Sequence, residues 1–221
     1  MIKIIVEKST NNMKKTILLS LLSLFTVLVV EAQSVYTPMK EFLFEVQTTV
    51  GNEKEVQYIS MWATDKPWEA DSSQHELFYA YHGHCSSDYL AAQWPYTDDV
   101  EATGMIENDG YVWLHPPRWQ KLSVLEYFPF PELTKDIVSE SKYTRMFIGS
   151  VDFLDKWMFL RYKMEVEKIE NKIIIHGKAQ TRRGEWTEVI TYDSEKGFTE
   201  MYFSAPGDIE IRFALLDVRN H

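Results

Sequence analysis

The chain has 221 residues, 45% of them apolar and 14% aromatic, ample for one well-filled core, and a formal net charge of −10. Acidity of this degree is repelled by phosphate backbones and anionic lipid surfaces, which argues against nucleic acid as a partner. A single cysteine precludes an internal disulfide, and the absence of repeats or low-complexity tracts points to one folded domain.

The first 32 residues read as separate from that domain. From Met13 the chain runs "MKKTILLSLLSLFTVLVVEAQS": two lysines, an apolar run from Thr16 to Val30, and Ala32 before Gln33. A basic start, an apolar stretch and a small residue at the break make a secretory signal peptide. The run falls short of the ~20 residues that a spanning helix needs, so no stable membrane span is expected after cleavage. Residues 1–12 precede a more natural start at Met13, and the ending "EAQ" resembles the signals of exported Bacteroidetes proteins. Cleavage after Ala32 leaves 189 residues with 19 basic and 31 acidic side chains, a net charge of −12. The expected organisation is an extension and signal over 1–32 and one domain over 33–221, exported to the periplasm or beyond.

In the N-terminal half, "EFLFEVQTTV" and "EVQYISMWA" flank Gly51-Asn52 as a hairpin. The proline-broken stretch from Trp62 to Gln74 reads as a lid or long connection, and "HELFYAYHGH" as a third strand. "VEATGMIE" and "YVWLH" flank Asn108-Asp109-Gly110, another hairpin, and "KLSVLEYF" reads as a further strand. Residues 132–142, "ELTKDIVSESK", are the one short helix expected.

The C-terminal third is more regular. "WMFLRYKMEVEKI", "KIIIHGKAQ", "EWTEVITY", "GFTEMYFS" and "DIEIRFALLDV" are separated by short turns rich in glycine, asparagine and aspartate. Leu160, Tyr162, Met164 and Val166 alternate with Arg161, Lys163, Glu165 and Glu167, as in a strand wet on one side. The fold class is therefore all-β: ten or eleven strands in an antiparallel up-and-down meander closing into a barrel or half-barrel, with at most one short helix.

The rhythm of strands from Trp157 to Val218 resembles that of the calycin superfamily, the lipocalin-like barrels. A Gly-x-Trp triplet stands at Gly184-Glu185-Trp186, after a hairpin, not near the start of the domain where lipocalins carry theirs. The resemblance implies an interior holding a small apolar or amphipathic ligand. A half-open barrel like those of periplasmic lipoprotein carriers arranges such strands equally well.

A register can be tried on the last hairpins. If Tyr192 faces Phe198 and Pro206-Gly207 is a two-residue turn, one face collects Trp186, Ile190, Tyr192, Phe198, Tyr202, Ile209, Ile211 and Phe213, together with Glu188 and Glu200. Unpaired charges on an apolar face are costly. Either the two glutamates meet a partner, line a wet cavity or sit at a rim, or one hairpin is out of register by one residue, which moves its side chains to the other face. Close like charges would also raise one pKa and create a possible general acid or base.

Two further stretches carry chemistry. In "YHGHC", His82 and His84 point to one side of a strand, the spacing by which two imidazoles share a metal, but no third ligand is indicated beyond candidates such as His75 and His115. Strand-end histidines are the plainer reading, with a general-base or ligand-contact role as the other, and for Cys85 a buried structural cysteine is the commoner case beside a catalytic thiol with a histidine partner. In "YVWLHPPRW", two prolines stop a strand and leave Trp113, His115, Arg118 and Trp119 near a barrel mouth, where an anionic or amphipathic ligand would find one cation. The plainer reading pairs Arg118 with a surface carboxylate.

Linear catalytic templates are absent: no nucleophile elbow, zinc-protease helix, phosphate loop or dinucleotide fingerprint. No catalytic residue and no cofactor are assigned. The sequence points to an exported protein that binds a small apolar or amphipathic molecule inside its barrel, with Trp113, His115, Arg118, Trp186, Glu188, Glu200 and Tyr202 lining or rimming the site. The alternatives are a hydrolase or isomerase using the carboxylate pair, and an envelope interaction domain without a ligand. An interior packed solid by side chains would count against the first.

Overall fold

A computed structural model describes residues 34–38, 40–82, 99–108, 110–130, 132–135, 140–151 and 156–220. The proposed signal segment, His84, Cys85 and the second half of "YHGHC" lie outside them. Twelve strands form one sheet: β1 (Lys40–Val50), β2 (Glu53–Trp68), β3 (Asp71–Tyr81), β4 (Val100–Glu107), β5 (Tyr111–Leu114), β6 (Glu132–Thr134), β7 (Glu140–Val151), β8 (Lys156–Ile169), β9 (Lys172–Thr181), β10 (Gly184–Asp193), β11 (Gly197–Ala205) and β12 (Ile209–Asn220). Their order is β6-β5-β4-β3-β2-β1-β12-β11-β10-β9-β8-β7, and the ladders are antiparallel. Neighbours in space are neighbours in sequence, save where β1 meets β12 in the middle. The two end strands, β6 and β7, do not pair, and the sheet is a curled half-barrel.

The concave face carries the core. Phe42, Phe44 and Val46 of β1, Ile59 and Met61 of β2, Leu77 and Tyr79 of β3, Leu160, Tyr162 and Met164 of β8, and Trp186 and Ile190 of β10 are buried at alternating positions, as the pleat requires. What covers them is the connection from β5 to β6. Pro116 and Pro117 end β5 because proline cannot donate to a ladder. A 3₁₀ helix follows at Gln120–Tyr127, in which Leu122 and Leu125 are buried; with three residues per turn they share one face with the buried Phe128. This strap, residues 116–130, joins no ladder among the described residues. The Phe128 ring lies 5.3 Å from Trp186, 5.2 Å from Phe203 and 6.0 Å from Tyr162, and Phe130 lies 5.3 Å from Phe203.

Three sequence expectations change here. "KLSVLEYF" is not a strand: Leu122 and Val124 mimic alternation, but the burial of Leu125 breaks it. Residues 132–142 are not a helix, since β6 and the start of β7 occupy its described positions. The stretch from Trp62 to Gln74 is neither lid nor loop, because β2 runs through Pro67 to Trp68 and turns at once into β3, with irregular pairing around Pro67.

Candidate functional site

Glu188 stands on the concave floor as the alternation of β10 predicts, between Trp186 and Ile190, and is 1% exposed. Across one ladder it faces Gly177 and across the other Phe203. A Cβ on Gly177 would come within 2.5 Å of a Glu188 carboxylate oxygen, so glycine is needed there for space; the carboxyl lies over the bare backbone of β9. Neither Glu188 oxygen has a hydrogen-bond partner. Burial alone raises its pKa well above the ordinary 4.5, favouring the neutral acid over the carboxylate. Burial, and then the charge of Glu188, likewise raises Tyr162 far above the usual phenol range. The Tyr162 hydroxyl donates to the main-chain carbonyl of Tyr127, in the strap, at 3.1 Å.

The other expected site residues divide into three places. Trp186 joins Glu188 on the floor and is fully buried against Phe128. Trp113 and His115 line a cleft of about 250 Å³ between β5, β6 and the strap, with Glu126, Phe128 and Phe130. The His115 ring stands 5.6 Å from Trp113 and 5.9 Å from Trp68, and burial holds its imidazole below the ordinary pKa. Arg118 is not among the lining residues of this cleft; it pairs with Glu101 at 2.9 Å and Glu126 at 3.7 Å, the plainer of its two readings.

Glu200 and Tyr202 do not share a face with Glu188. Tyr192 does pair with Phe198, but the register shifts by one between Thr191 and Tyr192, so Glu200 faces Thr191 and Tyr202 faces Val189. Met201 and Phe203 take the buried positions. The next turn uses three residues, with Gly207 and Asp208 at positive φ, and pairs Ala205 with Ile209. The two one-residue departures cancel beyond β11, which is why Ile211 and Phe213 face inward as expected. Glu200 and Tyr202 instead border open grooves of about 710 and 430 Å³ on the other face. The carboxylate pair on which the enzymatic alternative rested is not formed.

His82 follows β3 and belongs to a different cluster. Its Nε2 lies 2.9 Å from the Ser60 hydroxyl; Glu41 also bonds Ser60, and Arg219 lies 4.0 Å from Glu41. Because Glu41 holds the serine and not the imidazole, the trio lacks the relay order of a nucleophilic triad. Among the described residues no group of three His, Cys, Asp or Glu is placed to hold a metal.

Sequence reasoning missed the strap as the covering element and Tyr162 as the neighbour of Glu188. The double proline and the Leu122, Leu125, Phe128 period were its visible signals. Among the described residues, the void at the centre, lined by Phe44, Met61, Tyr79, Phe130 and Phe213, is about 10 Å³, less than one water needs, so the open interior expected there is not found. No protein-family model, curated protein or solved structure matches this chain.

Proposed function

We propose that the half-barrel is a binding protein for a small apolar or amphipathic molecule, which takes the concave floor when the strap lifts. The observation that carries this reading is Glu188: a carboxyl withdrawn from water with both oxygens unbonded, under a segment that joins no strand among the described residues. A purely structural floor gains from an apolar residue at that position, since an unsatisfied buried polar group costs about 1–3 kcal/mol. The filled interior is then a closed state in which Phe128 and Phe130 occupy the ligand's place. The basic-start signal and the acidic mature chain support export to the periplasm or beyond.

Diphenylhexatriene, a neutral fluorophore that brightens in apolar surroundings, tests the reading. Wild-type protein is expected to bind it, and Phe128→Ala to bind it at least tenfold more tightly, because the apparent affinity scales with the population of the open state. A fluorophore that stays dark with both proteins overturns the reading.

A further inference from the structure

The strap itself carries a record of what the floor binds. Inside the closed half-barrel, the Tyr162 hydroxyl donates to an oxygen that belongs to the strap, the main-chain carbonyl of Tyr127. Two strands away on the same buried face, the Glu188 carboxyl has no hydrogen-bond partner. Around the two stand Trp186, Phe203 and Met164, all buried. Glu188 and Tyr162 sit on β10 and β8, separated by β9, where Gly177 contributes no side chain and the carboxyl lies over open backbone.

We infer that the concave floor recognises a carbonyl-bearing aliphatic molecule, with the Tyr162 hydroxyl and the Glu188 carboxylic acid as two donors to its oxygen and the Tyr127 carbonyl as the internal surrogate that the ligand displaces. This deepens the binding reading proposed above and rests on it. The chemistry favours a carbonyl over the alternatives. A cation would place a charged pair in a pocket where Glu188 is 1% exposed and has no other partner, at a high desolvation cost. A hydrocarbon leaves the Glu188 carboxyl without a partner and removes the bond that Tyr162 makes to Tyr127. An oxygen acceptor satisfies the acid's proton and replaces the bond that Tyr162 gives up when the strap leaves. A protonated carboxyl beside a tyrosine hydroxyl is a known way to present two donors to one oxygen in an apolar site. No reaction follows from this arrangement; the inference concerns recognition.

Displacement of diphenylhexatriene by 2-dodecanone, dodecane and dodecylamine separates the possibilities. The quantity read is the ratio of ketone to hydrocarbon affinity, compared between wild type and variants so that aqueous solubility cancels. Wild type is expected to give a ratio that falls roughly fivefold in Tyr162→Phe and again in Glu188→Leu, each removing one donor. In Glu188→Gln, which keeps an N–H, most of the preference is retained. A ratio unchanged in Tyr162→Phe and Glu188→Leu overturns the inference while leaving the binding reading intact, and so does an amine that binds better than the ketone and loses its advantage in Glu188→Gln. Failure of the fluorophore and every competitor to bind overturns both.

Discussion

Glu107, at the end of β4, and Glu188, on β10, are both carboxylates removed from water, and their surroundings differ in nearly every other respect. The Glu107 side chain is 3% exposed and receives the backbone N–H of Val35 at 3.0 Å, that of Tyr36 at 2.9 Å, the Ser34 hydroxyl and the Lys135 ammonium at 3.0 Å. It clasps residues 34–36 onto the sheet, so that Tyr36 packs 4.8 Å from Phe42 and accepts the N–H of Phe198 at 2.8 Å. Burial pushes its pKa up, but the four donors outweigh burial and hold it below the ordinary value. Glu188 has burial and no donor, and its pKa moves the other way. A folded chain that can surround one carboxylate with four donors has no structural need to leave another with none. The difference separates a carboxylate whose bonds hold the fold together from a buried carboxyl that makes none.

The largest expected effect in this comparison comes from cutting the clasp. Glu107→Ala leaves Lys135 and two amides without their acceptor and is expected to lower stability by about 3 kcal/mol, read as a shift of the urea midpoint. Glu188→Leu should act in the opposite direction, raising stability by about 1–2 kcal/mol at pH 7 and the melting temperature by a few degrees. If Glu188→Leu destabilises as much as Glu107→Ala, the contrast between the two sites is broken.

Gly177→Ala sharpens the floor side of the contrast. The added methyl meets the Glu188 carboxyl and is expected to cost about 1–3 kcal/mol. Most of that cost should vanish in a Glu188→Ala background, because the two residues share one space; additive effects would show that the glycine serves another purpose.

The pH dependence of stability gives the clearest sign. Glu188 keeps its proton in the folded state and loses it near 4.5 once unfolded. Its contribution is therefore most favourable below that value and declines as pH rises, by about 1.4 kcal/mol per unit until the folded group titrates. Glu107 does the reverse: its stabilisation is present above 4.5 and is lost as pH falls through its depressed folded pKa. Glu188→Leu should thus become progressively more stable relative to wild type from pH 5 to 7, while the difference between wild type and Glu107→Gln narrows below pH 4.5. Chemical denaturation across this range reads both slopes.

Much of the fold was legible because strands such as β8, β9 and β10 alternate buried with more exposed side chains. The ends of β4, β8 and β9 follow directly from alternation and from Gly and Asn at the turns. Register was harder, since the irregularity at Thr191 has no residue of special backbone freedom to announce it, and Asp208 takes a positive φ that its sequence permits without requiring. That one slip moved Glu200 and Tyr202 to the wrong face. Glu188 escaped it because β10 lies on the near side of the irregularity. The strap was opaque for another reason: its period of three is short, and only the packing of Phe128 against Tyr162, Trp186 and Phe203 reveals that a connection fills the centre.

Infrared difference spectroscopy of the Glu188 carboxyl, with isotope-labelled glutamate to separate its band from that of any ligand, tests the central claim most directly. The account predicts a protonated-carboxyl C=O stretch at pH 7 that is missing from Glu188→Gln and moves to lower frequency when 2-dodecanone binds. A carboxyl already ionised at pH 7, or a band that stays unmoved with the ketone bound, would contradict it.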